Sequence, residues 1–308
     1  MANISTQIEM NYREKICEEV TIESDSRIWN EFKFRQGDVI VASYHKAGTT
    51  VTQQIVSQLI FNGKENIPVW QISPWLDFRL LPKNEILEQL SSQTHCRFIK
   101  THLTADALPI KPKTKYIYIA RDGRDIAWSF HRHLRNAKDE FNQAQWKNFD
   151  PDSEILKAYP IIPDDPRQFF SEWLKDDGFP HGSFFNNVRS WWNIKHLTNV
   201  MLIHYNNVLE DLTEVILKIA DFLEFSKENL NLEQIVRNCS FDYMKAHSQV
   251  YTPMGGEVFI GGHSSFFYKG TNNRWEGILS SEEIRNYENI AEERLGNECS
   301  RWLKTGVF

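Results

Sequence analysis

The chain has 308 residues, 41% hydrophobic and 25% charged, with a formal net charge of −6. That length suits one large α/β domain or two small ones, and the balance is that of a globular protein. The acidic excess argues against nucleic acid or an anionic membrane as partner, and no apolar run is long enough to span a bilayer.

Residues 1–37 read as an irregular lead-in. Met1 to Ser5 carry no basic, apolar, cleavable signal, and Cys17, Cys96, Cys239 and Cys299 are scattered without metal-ligand spacing. A cytoplasmic protein with reduced cysteines and no metal is expected. Residues 38–44 are a buried strand, followed by the turn Tyr44-His45-Lys46-Ala47-Gly48 and a helix over 49–62. A Gly-containing turn between strand and helix suits an anionic group, because the first helical N–H groups have no intrahelical partner and the helix dipole is positive there. An ordinary turn with Thr49 as helix cap would look alike. The turn is no Walker A loop: Lys46 precedes Gly48, and Ser43 stands where an upstream Gly is required.

A short helix follows at 85–92. Strands are predicted at 97–101, 115–120 and 200–205, from their β-branched and aromatic content. Arg121-Asp122-Gly123-Arg124 is a turn, with Asp125 capping a helix that runs to about 137. Further helices are expected at 184–197 and 211–223. The stretch 148–182 is rich in Pro and Asp and reads as a lid or surface insertion. Residues 252–273, glycine-rich with three phenylalanines, read as part of a loop over 245–275 that closes on a ligand. Strands alternating with helices predict an α/β fold: one domain over 1–308, with a central parallel sheet flanked by helices. The turns after 44, 101 and 120 should meet in one crevice at the carboxyl ends of the strands.

Four segments in order carry a more specific signal. Lys46-Ala47-Gly48-Thr49-Thr50 resembles the 5′-phosphosulfate loop of the cytosolic-type sulfotransferases. Lys100-Thr101-His102-Leu103 resembles their catalytic-histidine segment, and Arg121 to Ser129 their 3′-phosphate segment. Lys269-Gly270-Thr271-Asn272-Asn273-Arg274-Trp275 resembles their C-terminal phosphate loop in its bacterial form. Taken singly, Arg121 reads as a surface arginine, Ser129 as a packing residue, and Tyr205 and Phe241 as core aromatics. Their joint order favours the family.

The resemblance implies a P-loop-kinase-like sulfotransferase fold and the donor 3′-phosphoadenosine 5′-phosphosulfate, leaving adenosine 3′,5′-bisphosphate (PAP) as product. It places Lys46, Ala47, Gly48, Thr49, Thr50 and Val51 at the 5′ end. Arg121, Ser129, Lys269 and Gly270 fall at the 3′-phosphate. Tyr205, Cys239, Ser240, Phe241, Met244, Phe267 and Tyr268 fall around adenine and the closing loop. His102 is the expected base, with Lys46, Lys100 and Ser129 beside the transferred group. The acceptor is a small-molecule hydroxyl: an alcohol, phenol, glycolipid or natural product such as an alkaloid. Trp75, Phe78 and Phe130, with His102, are the candidate acceptor residues. Asp77, Asp139 or Glu140 would favour a cationic or polar acceptor. Val51 departs from the family's adenine-stacking Trp, and Tyr268 from its Arg, with Arg274 as the candidate replacement. No C-terminal dimer motif is evident, which leaves assembly open. The alternatives are a small-molecule kinase on a related fold and a non-catalytic phosphonucleotide binder.

Overall fold

Four short apolar runs form one sheet in the computed structural model, which describes residues 12–147, 149–150, 152–159 and 161–308. They are β1 (Val39–Ser43), β2 (Phe98–Thr101), β3 (Lys115–Ala120) and β4 (Val200–His204). All pairings are parallel, in the order β2-β1-β3-β4. Val39 and Val41 of β1 face one core and Ile40 and Ala42 the other, the alternation a two-sided sheet requires.

The helices that matter for the site are α1 (Thr49–Ile60), α2 (Lys83–Ser92), α3 (Gly123–Arg135), α4 (Asp139–Trp146), α5 (Pro166–Lys175), α6 (Phe184–Asn193), α7 (Leu212–Phe222), α8 (Leu232–Cys239) and α9 (Phe241–Ala246). α1, α7 and α8 pack on the Val39/Val41 face, and α3, α5 and α6 on the other. In the register, Ser43 lies beside Ile119, Ala42 beside Thr101, and Ala120 beside His204. The segments that leave the four strands therefore emerge along one edge.

Several expected boundaries shift for identifiable reasons. Asp122, not Asp125, caps α3: its carboxylate accepts the Arg124 N–H at 2.8 Å. Asp125 instead accepts the Asn273 N–H at 2.7 Å, tying α3 to the C-terminal loop. β4 stops at His204, and Tyr205 opens the short helix Tyr205–Glu210. The lead-in is not peripheral where it is described: Ile22, Ile28 and Trp29 are buried, and Asp25 caps a 3₁₀ turn at Ser26–Asn30. Its residues 1–11 lie outside the described residues, as do 148, 151 and 160 of the expected insertion. That insertion holds α5, started by Asp165 and Pro166, which buries Phe169, Phe170, Trp173 and Leu174. The expected loop 245–275 contains one helical turn, Ser248–Tyr251, and 3₁₀ turns at Pro253–Gly256 and Gly262–Ser265. Among the described residues, no helix is long and apolar enough to cross a membrane.

Candidate active site

The turn between β1 and α1 is shaped by backbone that side chains resist. Lys46 has φ 62° and Gly48 φ 120°. A Cβ on Gly48 would lie 2.7 Å from Ile119 Cδ1 and 2.8 Å from Tyr205 Cδ2, so only glycine fits. Gly48, not Thr49, holds the N-cap position, and no side chain caps α1. The amides of its first turn therefore stay available to an anion. Thr49 Oγ1 instead meets Ser43 Oγ at 2.6 Å. Ala47 does not join the lining: it is buried, and its N–H donates to the Tyr44 carbonyl at 3.3 Å.

This turn opens onto a cavity of about 600 Å³, which runs from β1 to the C-terminal loop. Lys46, Gly48, Thr49, Thr50, Val51, Arg121, Ser129, Tyr205, Cys239, Ser240, Phe241, Met244, Phe267, Tyr268, Lys269 and Gly270 all line it. Arg121 is buried and splits its guanidinium three ways. Nε donates to Asn272 Oδ1 (2.8 Å), Nη1 to the Lys46 carbonyl (3.2 Å) and Nη2 to the Thr271 carbonyl (3.0 Å). Of its five N–H groups two remain for a ligand. Its plane lies 4.6 Å from the Tyr205 ring, and Tyr205 Oη donates to the Gly270 carbonyl at 3.2 Å. Gly270 has φ 67°, and a Cβ there would meet Phe241 at 2.5 Å, so the loop lies flat against that ring.

Two arginines extend this cationic end. Arg132 and Arg274 line the cavity and flank Tyr268 at 3.9 and 5.6 Å from the ring. Arg132 was legible as a neighbour of Ser129, three residues on along one helix, but a lone helical arginine reads as a solvated one. Asp125, close by, has its carboxyl pushed up to about 6, chiefly by burial.

The other end of the cavity centres on His102, at the exit of β2. Its Nδ1 lies 2.8 Å from the Ser43 carbonyl. That oxygen can only accept, so Nδ1 carries the hydrogen and Nε2 keeps its lone pair. Burial, then Lys100 and Lys46, push the imidazole well below its ordinary value, so it stays neutral. Burial and the neighbouring Lys100, Arg121 and Arg274 bring Lys46 down to about 7. Its Nζ lies 3.4 Å from His133 Nδ1. Burial lowers Lys100 to about 8, against the opposing pull of Glu23, and its Nζ sits 4.3 Å above the Trp75 ring. Trp75 stacks on Phe78 at 4.5 Å and meets His102 edge-on at 4.7 Å.

Four residues expected at the acceptor lie elsewhere. Phe130 does not line the cavity; it lies behind it, stacked on His45 at 5.2 Å. Asp77 is turned inward, accepting the indole N–H groups of Trp29 (2.9 Å) and Trp75 (2.7 Å). Asp139 and Glu140 are exposed in the first turn of α4 and do not reach the lining. The acceptor end holds residues that sequence reasoning passed over: Glu23, His45, His133 and Phe141. No spacing links them; only the fold brings them together. Among the described residues, no three His, Cys, Asp or Glu side chains are grouped to hold a metal ion.

A strand-turn-helix loop with free first-turn amides, a buried arginine at the end of β3 and a neutral histidine near two lysines have the chemistry that group transfer from an anionic donor needs. The sulfotransferase domain family matches residues 36–298, and the chain belongs to that family. A glycolipid sulfotransferase of Mycobacterium bovis is 27% identical over 287 residues, covering 87% of this chain and 88% of that protein. Sulfotransferase 1A1 of Rattus norvegicus is 26% identical, covering 82% of each. The fold matches the crystal structure of mouse sulfotransferase SULT7A1 complexed with PAP, with TM-score 0.71, 22% identity and coverage of 95% and 98%. It also matches retinol dehydratase in complex with androsterone and PAP, with TM-score 0.66, 20% identity and coverage of 96% and 95%. The chain is an enzyme of the sulfotransferase class.

Proposed function

We propose that this enzyme moves a sulfuryl group from 3′-phosphoadenosine 5′-phosphosulfate to a hydroxyl of a small molecule, with His102 as general base. The observation that carries this reading is the pinned His102: its Nδ1 hydrogen is committed to Ser43, and its free Nε2 sits with Lys46 and Lys100 in the cavity wall. A protein that only bound the nucleotide would have no use for a neutral, oriented base.

The residues suit a ligand anionic at both ends. The first-turn amides of α1, Lys46, Thr49 and Thr50 take the 5′-phosphosulfate end. The two spare N–H groups of Arg121, with Ser129, Lys269 and Gly270, take the 3′-phosphate. Phe241 and Phe267, whose rings meet edge to face at 6.2 Å, take the adenine together with Val51, with Tyr205, Cys239, Ser240, Met244 and Tyr268 around them, and Arg274 adds the charge Tyr268 lacks. His102 Nε2 takes the acceptor proton as its oxygen bonds to sulfur. The bond from sulfur to the phosphate oxygen breaks, and that electron pair leaves on PAP. Lys46 neutralises charge growing on the departing oxygen, and Lys100 the sulfuryl oxygens. The names of the mycobacterial relatives make a glycolipid one class of acceptor to try.

His102→Ala should cut transfer by about 10²- to 10⁴-fold, the usual range for a general base, while calorimetry still finds PAP bound. Turnover retained in that variant would remove His102 from the role. A kinase would instead require ATP and magnesium, which a labelled-donor assay separates directly.

A further inference from the structure

Resting on that reading, one feature of the acceptor end points to its substrate class. Glu23 is 7% exposed and still lines the cavity. Both polar neighbours converge on one of its oxygens: His181 Nδ1 lies 3.0 Å and His45 Nε2 3.3 Å from Oε2. Among the described residues no hydrogen bond engages Oε1. Burial alone would push this carboxyl up, but its contacts with His45 and His181 and the nearby Lys100 outweigh that and hold it below its ordinary value, so it is ionised at neutral pH.

The charge is not matched by a contact ion pair with a lysine or arginine. His45 is driven well below its ordinary value by burial, so it offers an N–H and not a cation. Lys100 attracts Glu23 through space, yet its Nζ rests on the Trp75 face and makes no ion pair with Glu23 among the described residues. A buried carboxylate with one oxygen unengaged is costly unless a cation meets it.

Its position is also specific. His45 bridges the two functions: its ring contacts Glu23 on one side and lies 4.2 Å from the His102 ring on the other. Phe78 and Phe141, 6.4 Å apart, close the same end with apolar wall. Such walls keep water away and strengthen attraction to the carboxylate. We propose that Glu23, set among Trp75, Phe78 and Phe141, is a subsite for a positively charged nitrogen on the acceptor, one imidazole away from the hydroxyl that His102 deprotonates. The enzyme then selects amino alcohols and cationic phenols or alkaloids over plain phenols and neutral lipids.

The test compares tyramine with its neutral isostere 4-propylphenol, by calorimetry on the enzyme saturated with PAP, where no turnover intervenes. The wild type should bind tyramine about tenfold or more tightly, as one charge-assisted contact implies. Glu23→Gln should bring the two to parity while PAP affinity stays, which also shows the variant is folded. Equal binding in the wild type, tighter binding of 4-propylphenol, no binding of tyramine, or a preference that survives Glu23→Gln each overturns the proposal. Failure of PAP to bind would instead overturn the donor assignment, and the tyramine comparison then runs on the protein alone.

Discussion

The two ends of the cavity are built by different means. The proposed donor end is built from short runs: 46–51 after β1, Arg121 after β3, 239–244 across α8 and α9, and 267–270, framed by Gly48 and Gly270 where any Cβ would collide. The acceptor end is assembled: Glu23 from before the sheet, His45 from the first turn, Trp75 and Phe78 ahead of α2, His102 after β2 and Phe141 in α4. The donor end therefore tolerates little backbone change and reads as motif. The acceptor end can change chemistry by single substitutions without disturbing the frame, as surface-built sites do.

The contrast breaks most sharply at Arg121. Replacing it with alanine should weaken PAP about 10- to 100-fold, the worth of charge-assisted bonds lost. Adenosine 5′-phosphate should lose much less. Equal losses would mean that Arg121 serves only to hold the C-terminal loop through Thr271 and Asn272. A smaller effect is expected from Gly270→Ala, where a left-handed φ and the Phe241 ring both oppose a methyl group. PAP affinity should fall about tenfold, from roughly 1–2 kcal/mol of strain, with tyramine affinity unchanged; a loss at both ends would show that the two are not independent.

The smallest effect is a proton count. Lys46 titrates at about 7 without a bound anion and is mostly neutral at pH 8. A phosphate beside it raises that value, so PAP binding at pH 8 should take up as much as about one proton, and at pH 6 almost none. Binding enthalpies in buffers of different ionisation heat read this directly, and proton release at pH 8 would contradict it. The same shift bears on folding. The unfolded chain holds the Lys46 proton up to its ordinary value of 10.5, so this group makes stability rise with pH from about 7 to 10.5.

The strands and most helices were legible because their periodicity is local. Lys115–Ala120, with Tyr-Ile-Tyr-Ile at its centre, is β3 residue for residue. Helix ends were less so: Asp122 and Asp125 are both competent caps, and choosing between them takes knowledge of Asn273, 148 residues away. The lead-in read as irregular because its apolar residues, Ile22, Ile28 and Trp29, follow no period; they fill gaps against other elements instead.

By itself the sequence determined the parallel α/β frame and the family, since strand and helix patterns and the four ordered segments are each local runs of the chain. Tertiary structure alone decided that Phe130 backs the site without lining it, that Asp77 is spent on two tryptophans, and that Glu23 arrives one imidazole from His102. Those outcomes depend on contacts across tens of residues, where burial and shared hydrogen bonds, not spacing, settle which way a side chain faces.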